Sequence, residues 1–123
     1  SAAARSLTIL RKLGFKIALD DFGSGYSSLR YLTSMPVDII KFDISLIQGM
    51  MDARLCRLVQ EMASMLIGLG YDLVAEGIET EELLVIVDSA GFNLSQGYLF
   101  GKPARSRDAM LPVKASSLAA VLE

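Results

Sequence analysis

Apolar residues recur along the chain at two spacings, and the spacings alternate. Over residues 2–13 the leucines at 7, 10 and 13 share one face, which predicts a helix that Gly14 ends. "FKIAL" (15–19) then reads as a short strand. "YSSLRYLTSMP" predicts one or two helical turns ended near Pro36, and "VDIIKF" (37–42) a second strand. "ISLIQGM" (44–50) fits either type. Residues 53–67 form a long helical pattern with Leu55, Leu58, Met62 and Leu66 aligned, ended by Gly68 or Gly70. "YDLVAE" (71–76) is a third strand. Thr80 is placed as an N-cap with Glu81 and Glu82 in the first turn, where the helix dipole favours anions, and that helix stops at Gly91. "NLSQGYLF" (93–100) holds a fourth strand, and "RSRDAMLPVKASSLAAVLE" is expected to close the chain with a helix or two. Alternating strands and helices predict an α/β fold with about four parallel strands.

The polar residues sharpen this picture because they fall at the strand ends. Asp20 and Asp21 end the first strand, Lys41 and Asp43 the second, Glu76 the third and Gln96 the fourth. In parallel α/β folds the carboxyl ends of the strands share one edge, and ligands bind there. Adjacent carboxylates repel, and each resists ionisation unless a cation intervenes. Magnesium or manganese would supply that cation through oxygen ligands. The chain has no His and a single Cys, Cys56, in a helical pattern, so a zinc site of the usual nitrogen and sulfur kind is not expected. Cys56 itself reads as a core thiol. Taken singly, each polar residue has a plainer role. The aspartates could cap the turn before Gly23, Lys41 could be an exposed ion-pair partner, Glu76 a helix cap, and Gln96 a partner for a backbone group.

Composition adds limits. The chain has 123 residues, room for one domain or part of one. Its apolar content is 52%, or about 57% when glycine is counted and tyrosine is not, against a typical value of roughly 45–50% on that second basis. A net charge of −2 without a basic run argues against duplex nucleic acid as a bulk partner. No stretch is apolar over the roughly 20 residues of a membrane span, so no direct membrane contact is expected. The segment reads as cytoplasmic, although a parent protein could be membrane-anchored.

Four motifs, "LDDFGSGYSSLRYL", "VDIIKFD", "VAEGIET" and "QGYLFGKP", occur in this order across almost the whole chain. Together they resemble EAL domains, the cyclic di-GMP phosphodiesterase domains of bacterial signalling proteins. The resemblance implies the second half of a (β/α)8 TIM-type barrel that hydrolyses cyclic di-GMP to linear pGpG with two divalent cations, Mg2+ or Mn2+. It also implies residue roles. Asp20 and Asp21 match the family's metal-binding pair. Lys41 matches the lysine that contacts the activated water or the phosphate. Glu76 matches the glutamate that assists hydrolysis, and Gln96 the glutamine that positions this network. Asp43 and Glu79 match supporting acidic positions. The loop of Phe22, Gly23, Ser24 and Gly25 matches the segment coupling the metal site to the family's dimer interface. Ser24 stands where threonine or alanine is commoner. Tyr98 and Phe100 are candidates for guanine contact, with core packing equally open.

The resemblance places residues 1–123 in the carboxyl-terminal half of the domain. The Glu-Ala-Leu motif, and the asparagine and glutamates expected from the first four strands, do not occur in the sequence. Two aspartates alone would bind magnesium weakly, so the chain by itself is expected to be inactive or nearly so. Four parallel strands would leave two open edges, which favours self-association. One alternative is a catalytically inactive cyclic di-GMP-binding or protein-interaction module. A remoter one is a response-regulator receiver domain, suggested by the acidic pair and Lys102-Pro103. That fold needs a phosphoacceptor further along the chain than Asp43, and Asp52 sits in a helix entry.

Overall fold

The structure is a computed structural model that describes residues 2–24, 28–95, 104–105 and 118–122. Helix α1 (Ala2–Lys12) leads into strand β1 (Lys16–Phe22) through Gly14, whose φ of 99° closes the helix. Helix α2 (Ser28–Ser34) and strand β2 (Ile39–Phe42) follow. The ambiguous "ISLIQGM" forms a short helix α3 (Ile44–Gln48) and a 3-10 turn, Gly49–Met51. Helix α4 (Ala53–Gly68) precedes strand β3 (Asp72–Ala75). Thr80 caps helix α5 (Glu81–Ser89) through its hydroxyl, which accepts from the Leu83 N–H at 3.1 Å. Strands β4 (Leu94–Ser95), β5 (Ala104–Arg105) and β6 (Leu118–Leu122) complete the described elements.

The sheet runs β5-β4-β3-β2-β1-β6. The pairs from β4 to β6 are all parallel, and only β4–β5 is antiparallel. Parallel neighbours joined in chain order by helices are the repeating unit of the TIM barrel, and the fold is the expected α/β one. Alternation along the strands sorts side chains onto two faces. Leu19, Ile40, Phe42 and Leu73 belong to the main core with Val59 and Ala63 of α4. The opposite face carries a separate small cluster of Ala18, Ile39 and Val74. Phe42 is fully buried between Phe22 and Phe92, with ring centroids at 5.1 and 4.9 Å. Each such side chain contributes about 1.5–3 kcal/mol of transfer free energy.

Three expectations change. The chain end expected to be helical contains β6, which lies parallel along β1 with Ala18 opposite Val121 and Leu19 opposite Leu122. An unpaired edge of a parallel strand presents a row of donors and acceptors, and satisfying them outweighs the modest helix preference of Leu and Ala. The β1 edge is therefore covered, and among the described residues the outer strands of the sheet are β5 and β6. Helix α4 sets Leu55, Met62 and Leu66 of its expected stripe against the core, but not Leu58. Leu58 is 57% exposed, whereas Val59, Ala63 and Leu66 are buried. Finally, β1 does not stop before the aspartates but runs through them to Phe22.

Candidate active site at the carboxyl edge of the sheet

The two aspartates lie on a β-bulge. Leu19 pairs with Ile40, and Phe22 with Phe42. The chain thus takes three steps on β1 against two on β2. The extra residue is Asp21, with φ at 56°. This left-handed conformation costs a side-chain-bearing residue energy, less for Asp than for most. The bulge lets consecutive carboxylates reach one site, which strict strand alternation would forbid. Phe22 returns to the core face beside Phe42, which anchors the bulge from below.

Above the Ala18, Ile39 and Val74 cluster, the same face carries Asp20, Lys41 and, directly after β3, Glu76. Carboxylate oxygens of Asp20, Asp21 and Glu76 lie within 4.8 Å of one another. The Lys41 ammonium stands 3.3 Å from Glu76 Oε2 and 3.8 Å from Asp20 Oδ1. The longer distance permits Coulomb attraction but not a hydrogen bond. Asp20 Oδ1 is accordingly buried without a hydrogen-bond partner. Burial raises the Glu76 carboxyl above the ordinary carboxylate range, and the Asp20 charge adds to the effect while Lys41 opposes it.

The donor set fits a hard divalent cation. Three carboxylates converge on one ammonium, too little positive charge to balance them, and one buried oxygen lacks a hydrogen bond. Such oxygen-only donors suit Mg2+ or Mn2+.

The other expected residues divide. Asp43 caps α3, its Oδ2 accepting from the Ser45 N–H at 3.0 Å, and it stands outside the carboxylate cluster. Glu79 is exposed in the turn before α5 and is also outside the cluster. Gly23, at φ 100°, turns the chain after the bulge, and Ser24 closes that turn through its hydroxyl to the Asp21 carbonyl at 2.7 Å. Gln96, Gly25, Tyr98 and Phe100 lie outside the described residues. Sequence reasoning did not single out Gln48, whose amide reaches the carbonyl of Gly77, next to Glu76.

Residues 1–103 match the EAL domain family. The chain belongs to the EAL domain family. It is 46% identical over 101 residues to an uncharacterized protein of Azorhizobium caulinodans, covering 81% of this chain and 14% of that protein. It is 38% identical over 104 residues to the cyclic di-GMP phosphodiesterase RocR of Pseudomonas aeruginosa, covering 84% of this chain and 26% of RocR. The EAL domain of Mycobacterium smegmatis DcpA superposes with a TM-score of 0.74 at 35% identity, over 85% of this chain and 47% of that structure. The chain thus spans about a quarter or less of the length of these curated relatives. Among the described residues, no helix is long and apolar enough to cross a membrane.

Proposed function

We propose that this EAL chain forms one side of a cyclic di-GMP phosphodiesterase site. In this reading residues 1–123 supply the carboxyl-terminal half of the barrel, and the chain by itself turns over little substrate. The observation that carries the reading is the convergence of carboxylate oxygens of Asp20, Asp21 and Glu76, one of them buried without a hydrogen bond, with Lys41 alongside. Relatives that bear the phosphodiesterase name, such as RocR, support the substrate.

Asp20, Asp21 and Glu76 would hold Mg2+ or Mn2+, which when bound neutralises phosphate charge and makes a water more acidic. The bulge at Asp21 sets two of these carboxylates on one side of the strand end. Lys41 offers its ammonium where negative charge builds on the phosphoryl oxygens. Glu76, held beside Lys41, would accept the proton of the attacking water through an oxygen not committed to the ion. The water oxygen bonds to phosphorus as one bridging P–O bond breaks. The freed ribose oxygen leaves as a hydroxyl by taking up a proton from solvent, and Glu76 returns its proton to solvent, giving linear pGpG. Gln96 would help position this network, and Asp43 and Glu79 would support it from outside the cluster. Two routes to a homo-oligomer are in keeping with this reading, an outer strand of the sheet or the family interface beyond the Phe22–Gly23 turn.

The test is chromatographic separation of products after full-length protein is incubated with cyclic di-GMP and Mn2+. Conversion to pGpG that Lys41→Met lowers by about 100-fold or more supports the reading. Cyclic di-GMP bound but never cleaved would favour the binding-module alternative.

A further inference from the structure

Two turns bracket the carboxylate cluster, and one short helix touches both. The turn at Gly23 follows Asp20 and Asp21, and the turn at Gly77 follows Glu76. Both glycines have positive φ, 100° and 84°. A Cβ on Gly23 would meet Leu46 Cδ2 at 2.6 Å, and one on Gly77 would meet Ile44 Cγ1 at 2.9 Å and Gln48 Nε2 at 3.3 Å. Contacts this close leave α3 wedged between the turns. The wedge is fixed at its start, where the Asp43 N–H donates to the Phe22 carbonyl at 2.9 Å and the Asp43 side chain caps the helix. Its fully buried Ile47 ties it to the core.

The apolar part of the wedge sets spacing but not direction. On the Glu76 side Lys41 holds the side chain, and a polar contact from α3 reaches the backbone. The half-buried Gln48 donates from Nε2 to the Gly77 carbonyl at 3.4 Å. Gly77 is buried, and a glycine at positive φ has more backbone freedom than any other residue. Holding its carbonyl orients the peptide one step from Glu76. We propose that Gln48 is a positioning residue that sets where Glu76 stands opposite Asp20 and Asp21 by holding the Gly77 carbonyl. The inference rests on the metal-site reading above.

The test uses full-length protein and Mn2+ alone as the probe, titrated by electron paramagnetic resonance, with melting temperatures measured beside it. Gln48→Met keeps the length and loses the donor. Gln48→Glu keeps the shape, loses the donor and adds negative charge. Asp21→Asn is the reference. The expected result is Mn2+ affinity about tenfold weaker in both Gln48 variants at nearly unchanged melting temperature, in line with the effect of groups that orient ligands. A packing role alone would leave affinity intact in these isosteres, and a charge effect alone would make Gln48→Glu bind more tightly. Wild-type affinity in both variants, or tighter binding by Gln48→Glu, overturns the proposal while Asp21→Asn still loses the ion. If wild-type protein binds no Mn2+, the metal-site reading fails and takes this proposal with it. Should Gln48→Met not fold, the Gln48→Glu comparison decides.

Discussion

The two edges of the sheet use aspartate in opposite ways. At the amino edge, both oxygens of Asp38 are occupied. Oδ2 accepts from the Ile17 N–H at 2.8 Å, and Oδ1 pairs with Arg11 at 2.9 Å. Its backbone joins in too, since the Asp38 carbonyl accepts from the Asp72 N–H at 3.0 Å. This residue ties α1, β1, β2 and β3 together. At the carboxyl edge, Asp20 keeps a buried oxygen without a hydrogen bond, Asp21 sits at positive φ, and Glu76 holds its proton more tightly than usual. At one edge both Asp38 oxygens are satisfied, and at the other a buried Asp20 oxygen lacks a hydrogen bond, a difference in keeping with the proposed site at the carboxyl edge.

The contrast can be broken by substitution. Asp20→Asn should give the largest effect, a loss of Mn2+ affinity and hydrolysis of more than about 100-fold, because in the proposed site Asp20 is a direct ligand and outweighs the groups that orient ligands. Metal-free stability should hold or rise, since the change removes an incompletely paired charge. Calorimetric titration and urea unfolding read the two quantities separately. Asp38→Ala should do the reverse. It leaves the buried Ile17 N–H without its acceptor and should cost about 1–3 kcal/mol of stability in urea, with the Mn2+ affinity of the folded protein nearly unchanged. The half-exposed Arg11 pair adds little to that cost.

A smaller effect lies in pH. The Glu76 carboxyl is raised in the folded state by burial, so its ionised form is disfavoured there relative to the unfolded chain. Metal-free stability from this residue should therefore grow as pH falls below the raised value, and level off once the ordinary unfolded value is passed. Urea midpoints across that window should show this trend in wild type and lose it in Glu76→Gln. Mn2+ affinity should move the other way, falling with pH as a proton takes the Glu76 oxygen. Smallest of all is Arg57→Ala on α4. Its exposed pair with Glu61, at 2.9 Å, belongs to neither edge, and losing it should shift unfolding by about 0.5 kcal/mol or less.

Much of the edge was legible in sequence because it depends on local pattern. Strand ends place Asp20, Lys41 and Glu76 together once the strands are known to be parallel, and Thr80 announces α5 by its residue type and position. What stayed hidden depends on partners. The bulge at Asp21 is visible only when β1 and β2 are paired, since one strand cannot show an extra residue. Strand β6 has the local look of a helix, and only the free edge of β1 makes it extended. The exposure of Leu58 reflects how α4 rotates to seat Val59 and Ala63, a choice made by the sheet beneath it. Asp43 was placed by its motif, and it caps α3 beside the site and not within the cluster. The role of Gln96 rests on its motif, outside the described residues.

The most direct measurement is anomalous scattering from crystals of the full-length protein grown with Mn2+. The account predicts a peak about 2.0–2.3 Å from carboxylate oxygens of Asp20, Asp21 and Glu76, with Lys41 beside it. A peak elsewhere, or ordered carboxylates with no peak at saturating Mn2+, would contradict it.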